Sequence, residues 1–149
     1  MTAARWGAVL AAGVASTAAL AWARRHFVVV TVRGASMAPT YADGQRLLLR
    51  RGGYTAGDVV MFRSPVVRRE GLQGLVKRVE AVPGDPVPAD MAARAGVPVV
   101  PPGWILVRSD AGGLDSRQLG LIDGRAVVGR ICAPAPAPAP ARIPSRSGL

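Results

Sequence analysis

The sequence contains only one cysteine, one histidine and one lysine among its 149 residues, namely Cys132, His26 and Lys77. A single cysteine cannot form an internal disulfide and says nothing about the redox compartment. A single histidine gives no basis for a metal site built from histidines or for a Ser-His-Asp triad. A hydrolase built on this sequence needs a different base, and we expect neither a metal nor another cofactor.

Acidic and aromatic residues are also scarce. Nine Asp and Glu are outnumbered by nineteen Lys and Arg, and the resulting net charge of +10 predicts an anionic partner, either nucleic acid or a phospholipid surface. The basic residues are scattered along the chain, and the three Trp, two Tyr and two Phe do not alternate with them as in a single-strand binding platform. We therefore predict a phospholipid membrane as partner and no nucleic acid.

The N-terminal segment carries no charge between positions 6 and 23 and consists almost entirely of Ala, Gly, Val and Leu. At ~1.5 Å per residue, these positions span roughly 27 Å as a helix, close to the apolar thickness of a bilayer. Trp6 and Trp22 lie near its two ends and arginines flank it, as in a membrane-spanning helix. We predict a membrane anchor over residues 1–25.

Two other interpretations of this segment stay open. It could be a cleaved signal peptide with Ala21-Trp22-Ala23 as the A-x-A cleavage site, or a buried core helix, although it lacks a polar face. The orientation of an anchor is a separate question. The arginines that follow the segment outnumber Arg5, which favours a cytoplasmic location for the body of the protein.

Positions 26–132 have the pattern of a β domain. Short β-branched runs alternate with turn sequences rich in Gly, Pro and Asp, which predicts a mainly β, antiparallel sheet with several hairpins. The predicted strands are 27–32, 45–51, 58–62, 75–82, 104–109 and 126–131. Residues 89–96 could form a turn or two of helix. The Ala-Pro repeat within residues 133–149 predicts an extended, disordered tail.

One lysine and one serine have the context that nucleophilic catalysis needs. Lys77 lies on a predicted strand with Leu75 and Val79 two residues to either side, so its face of the strand is apolar. Burial there disfavours the ammonium form and can lower a lysine pKa by up to ~3–5 units, which would yield a neutral general base. Ser36 lies in a small-residue loop after a predicted strand. The residues alone also allow Lys77 to reach solvent at a sheet edge and Ser36 to be an ordinary turn residue.

Five ordered sequence blocks resemble those of type I signal peptidases, the membrane-bound serine–lysine endopeptidases that remove signal peptides. The blocks are SMAPT (36–40), DGQRLLL (43–49), GDVVMFRSP (57–65), VKRVEAVPGD (76–85) and DSRQLG (115–120). The resemblance covers about residues 5–131. It implies a single transmembrane helix followed by an antiparallel β-sheet domain of the signal peptidase type, on the extracytoplasmic side of the cytoplasmic membrane. It also implies cleavage of exported pre-proteins after small residues (Ala-x-Ala).

The resemblance implies roles for individual residues. Ser36 resembles the nucleophile, with its backbone N–H in the oxyanion hole, and Lys77 resembles the general base. Met37 corresponds to a methionine beside the substrate pocket. The residues that correspond to supports of the active site are Arg78, Asp115, Ser116 and Arg117.

Three small residues depart from the family pattern. Gly34 occupies a position where some members supply a second hydroxyl to the oxyanion hole, and Gly113 occupies that of a serine that hydrogen-bonds the lysine; Ala111 replaces an asparagine. Ser116 or a backbone carbonyl is then the expected partner of the lysine. A weak or inactive membrane-tethered relative that binds peptides is therefore one alternative. A maturation protease for one partner protein, of the nickel superoxide dismutase type, is another.

Overall fold

A computed structural model describes residues 3–64 and 74–135, and within the first helix it describes side chains only from residue 15 onward. Most of these residues belong to a mainly β domain preceded by one long helix. The elements are α1 (Ala3–His26), β1 (Phe27–Thr31), β2 (Arg46–Arg50), β3 (Val59–Phe62), β4 (Leu75–Ala81), α2 (Ala89–Ala95), β5 (Trp104–Arg108), α3 (Ser116–Leu119), β6 (Ile122–Asp123) and β7 (Val127–Pro134). The predicted antiparallel β fold is confirmed.

The strands form one sheet in the order β1-β2-β7-β3-β4-β5-β6, and every pairing is antiparallel. The last strand, β7, is inserted between β2 and β3. Gly129 of β7 lies so close to β2 that a Cβ at this position would be 2.5 Å from the carbonyl oxygen of Arg50. The absence of a side chain there lets the two strands approach.

Buried and partly exposed side chains alternate along β4, so the sheet has one buried face and one more exposed face. In β4, Lys77, Val79 and Ala81 are buried while the residues between them are only partly so. The cluster nearest to Lys77 consists of Val60, Phe62, Val79, Ile105 and Val107. Two further clusters lie under β1–β2 and against α2, so apolar side chains support the sheet along its length.

The helix α1 continues without a linking residue into β1. Its described side chains are mostly exposed, including Leu20 at 54% and Trp22 at 59%, so they do not form part of the domain core. Within the part of the chain whose side chains are described, no helix has both the length and the apolar character needed to cross a membrane. The interpretation of this segment as a buried core helix is not supported by that exposure.

Three further features bear on the sequence-based expectations. The segment 89–96 does form a helix, which ends at Gly96 in the left-handed conformation. The four-residue helix α3 and the two-residue strand β6 were not predicted, because both are shorter than the patterns used to recognise helices and strands. The predicted disordered tail has only its first residues, 133–135, within the described chain, and residues 136–149 lie outside it.

Candidate active site

The loop that carries Ser36 connects β1 to β2 and is stabilised by hydrogen bonds between its own residues. The N–H of Ala38 donates to the carbonyl of Ala35 (3.0 Å), and that of Tyr41 donates to the carbonyl of Met37 (2.8 Å). The N–H of Gly34 donates to Oδ1 of Asp43 (2.8 Å). Ser36 itself is partly exposed and so remains accessible to a substrate.

Lys77 reaches Ser36 from the buried face of β4. It is directly opposite Val60 of β3 in the sheet register, and only 2% of the residue is exposed. Its Nζ lies 2.8 Å from Oγ of Ser36, which is hydrogen-bonding distance. The structure therefore brings together the two residues that were singled out from the sequence, although they are 41 positions apart.

The surroundings of Lys77 favour its neutral form. Burial among apolar side chains lowers the pKa of Lys77 below the ordinary value of 10.5, because the ammonium loses its hydration. The carboxylates of Asp115 and Asp110 act in the opposite direction and offset part of this effect. A lysine with a lowered pKa can accept a proton from a serine hydroxyl, which an ordinary lysine does poorly at neutral pH.

Arg78, the residue after Lys77, connects β4 to the two loops of the site. Its Nε donates to Oδ1 of Asp110 (2.9 Å) and its Nη2 donates to Oδ2 (2.7 Å). The hydroxyl of Thr40 donates to the same carboxylate (2.5 Å), and the hydrogen bond from Arg78 lowers the pKa of Asp110. The carbonyl of Ser36 accepts from the N–H of Ala111 (3.1 Å). The loop of Ser36 is thus tied at two points to the loop that follows β5.

Asp115 organises the other end of that loop. It is fully buried and precedes α3, where its carboxylate accepts from the backbone N–H groups of Arg117 and Ser109, each at 3.0 Å. The Arg117 side chain donates to it at 2.7 and 3.0 Å. Although burial alone raises the pKa of Asp115, these hydrogen bonds outweigh it and lower the pKa to about 2. Asp115 is therefore ionised at neutral pH.

Of the other residues singled out from the sequence, Met37 and Ser116 are buried in the domain, whereas Gly113 lies beside Ser36. Met37 is 1% exposed and belongs to the core. Ser116 is fully buried, and its Oγ accepts from the N–H of Val107 (2.9 Å) rather than from Lys77. A Cβ on Gly113 would be 3.7 Å from that of Ser36, so the glycine does lie beside the nucleophile candidate.

Thr40 and Asp110 are site residues that the sequence reasoning missed. Thr40 falls inside the block 36–40, and Asp110 lies five residues before the block 115–120. The signal that could have identified them was the adjacency of Arg78 to the lysine, since a partly buried guanidinium needs a carboxylate. Among the described residues, no group of three or more His, Cys, Asp or Glu side chains is placed to hold a metal ion. The arrangement is suited to acyl transfer to a serine hydroxyl that is activated by an amine.

Comparison with known protein families gives a match. A family model described as signal peptidase, peptidase S26, matches residues 5–94, which include Ser36, Lys77 and Arg78. The block that contains Asp115 and Arg117 lies beyond the matched residues. No curated protein matches the sequence.

Proposed function

Because the chain belongs to the signal peptidase family, peptidase S26, we propose that it is a serine endopeptidase in which Ser36 and Lys77 form the catalytic dyad. The observation that carries the proposal is the 2.8 Å distance between Ser36 Oγ and Nζ of Lys77, a lysine of which only 2% is exposed. A buried amine with a lowered pKa is the base that this histidine-poor chain otherwise lacks.

The proposed reaction proceeds through an acyl-enzyme. Neutral Lys77 accepts the proton of the Ser36 hydroxyl while Oγ attacks the scissile carbonyl carbon, and the backbone N–H of Ser36 donates to the resulting oxyanion. The Lys77 ammonium then transfers its proton to the leaving amine as the peptide C–N bond breaks. Water, deprotonated by Lys77, hydrolyses the ester and restores the serine.

We propose exported pre-proteins with Ala-x-Ala before the cleavage site as substrates. An extended peptide can add to a sheet edge through main-chain hydrogen bonds, which are independent of sequence, while small pockets exclude larger side chains. Arg78, Asp115 and Arg117 support the dyad in this proposal through the hydrogen bonds that fix the surrounding loops. Met37, the buried residue that follows Ser36, lies beside the substrate pocket in this proposal.

The test is cleavage of a pre-protein that carries an Ala-x-Ala site by the purified full chain, beside the variants Ser36→Ala and Lys77→Ala. Both variants should lose at least ~10³-fold in kcat/KM, since each removes a member of the dyad. Arg125→Ala, which removes a basic side chain that is 91% exposed, is the matched control and should retain activity. Activity retained by Ser36→Ala would overturn the dyad. An inactive parent chain would instead favour a peptide-binding relative, and cleavage of one partner protein only would favour the maturation protease.

Membrane attachment through α1, with the β domain on the extracytoplasmic side, is a further part of the proposal. It is supported by the uncharged stretch 6–23 and by the exposed apolar side chains at the C-terminal end of α1. Flotation of the full chain with phospholipid vesicles tests it, with residues 27–149 alone as the comparison. Intact mass of the purified protein shows whether cleavage after Ala23 removes the segment.

A further inference from the structure

The hydroxyl of Ser109 has no hydrogen-bond partner although it is buried. Ser109 is the first residue after β5, and 6% of it is exposed. Its Oγ is the buried side-chain polar atom without a partner in the described part of the chain. Because buried hydroxyl groups nearly always have a partner, a hydroxyl without one in a resting enzyme points to a partner acquired during the reaction.

The sheet register places this hydroxyl next to the lysine. Strands β4 and β5 pair Val79 with Val107 and Arg78 with Arg108, and one further step in the same register brings Ser109 opposite Lys77. Residues directly opposite in an antiparallel pair have side chains on the same face, with Cβ atoms about 4.5–5.5 Å apart. Lys77 is thus flanked by apolar Val60 on one side and by Ser109 on the other.

Lys77 needs a second acceptor once it becomes protonated. In the resting site its Nζ is hydrogen-bonded to Ser36 Oγ. When the proton moves from Oγ to Nζ, Oγ forms its bond to the substrate carbonyl carbon, and the buried ammonium then has three N–H groups to satisfy. A buried cation that lacks acceptors is costly, so the second acceptor stabilises the state in which charge develops.

The other polar groups near the lysine are already engaged. Ser116 Oγ accepts from a backbone N–H of β5, and Gly113 has no side chain. The charged groups that act on Lys77 are Asp115 and Asp110, and each carboxylate is bound to an arginine. Asp115 also binds the backbone N–H of Ser109 and so fixes that residue while leaving its hydroxyl free.

We propose that Ser109 is the positioning residue for the general base, with its Oγ accepting a hydrogen bond from Nζ of Lys77. It does what Ser116 was expected to do, from the end of the strand predicted over residues 104–109. The inference rests on the proposed role of Lys77 as the base, and its hydrogen bond can be measured without turnover.

The first test is the kinetics of Ser109→Ala and Ser109→Thr with the full chain and an Ala-x-Ala pre-protein. Loss of a hydrogen bond to a charged group should lower kcat about tenfold or more with little change in KM, and the threonine hydroxyl should restore most of it. The unfolding temperature of Ser109→Ala should not fall, because the removed hydroxyl has no partner in the resting protein. Unchanged kcat would overturn the inference, as would a loss of kcat that only follows a loss of stability.

The second test uses the fact that Lys77 is the only lysine in the sequence. Growth with lysine labelled with carbon-13 at Cε gives one NMR signal, whose pH titration reports the pKa of Lys77 directly. An acceptor favours the ammonium, so Ser109→Ala should lower the pKa of Lys77 further, and Ser109→Thr should leave it near that of the parent chain.

Ser116→Ala is the matched control for the titration. It removes an equally buried serine hydroxyl, but one that is bound to a backbone N–H, so it should lower the unfolding temperature and leave the titration unchanged. An unchanged titration in Ser109→Ala overturns the inference whatever the activity. A parent chain that shows the expected titration shifts but does not cleave overturns the proposed function and leaves the hydrogen bond established.

Discussion

Asp115 offers a direct test of how much the buried carboxylate contributes to the stability of the domain. The substitution Asp115→Asn keeps the shape of the side chain but replaces one carboxylate oxygen by an NH2 group. The parent carboxylate accepts from two backbone N–H groups and from the Arg117 side chain. An amide cannot accept all of these hydrogen bonds, so at least one buried donor loses its partner.

The expected cost follows from the pKa of this carboxyl group. The difference between the ordinary value of 3.8 and the value of about 2 in the folded protein corresponds to about 2 kcal/mol of stabilisation at neutral pH. The unpartnered donor adds about 1–3 kcal/mol. We therefore expect Asp115→Asn to lower the free energy of unfolding by about 3–5 kcal/mol, a large share of the stability of a domain of this size.

The chain contains its own control for this measurement. Asp123 and Arg125 repeat the same spacing and the same contacts, from the backbone N–H and the guanidinium of the arginine, but the Arg125 side chain is 91% exposed. Asp123→Asn should therefore barely move the urea midpoint, because water replaces the lost contacts.

The pH dependence gives a second criterion. Because the pKa of Asp115 is lowered on folding, its contribution is complete above about pH 4 and is lost as the pH falls towards about 2. The difference in the free energy of unfolding between the parent and Asp115→Asn, measured by urea unfolding, should therefore be smaller at low pH than at pH 7. Equal losses for Asp115→Asn and Asp123→Asn at pH 7 would refute the reasoning from burial.

Two further predictions concern stability. Lys77→Met should abolish the proposed cleavage yet stabilise the protein at pH 7, because burial lowers the pKa of Lys77 and makes its ammonium costly in the folded state. The gain in stability should vanish above about pH 10.5, where the lysine is neutral in both the folded and the unfolded state. A destabilised Lys77→Met in thermal melts at pH 7 would contradict this. Gly129→Ala should destabilise by about 1–3 kcal/mol, because its Cβ would be 2.5 Å from the Arg50 carbonyl oxygen. An unchanged urea midpoint would show that β2 and β7 separate at little cost.

The sequence contained enough information to predict six of the seven strands and the environment of Lys77. Alternation of Leu75, Lys77 and Val79 placed the lysine on an apolar face, and its burial bears this out. The helix α3 escaped prediction even though Asp115 and Gln118 form a capping box, because four residues carry no periodicity.

Ser109 and Gly129 could not be interpreted from the sequence for a different reason. Their roles depend on which strands are neighbours and in what register, and local patterns do not contain that information. Ser109 acquires its significance only when β5 pairs with β4. Gly129 acquires its significance only when the C-terminal strand lies against β2.

The position of β7 in the sheet also bears on the order in which the parts of the site are synthesised. The loop of Ser36 belongs to the hairpin β1–β2, whereas Lys77 lies in the group β3–β6, and in the sheet these two pieces are joined through β7. A chain synthesised from its N-terminus contains both Ser36 and Lys77 well before residues 127–134 are available. The sheet that joins nucleophile and base is therefore incomplete until its C-terminal strand has been synthesised.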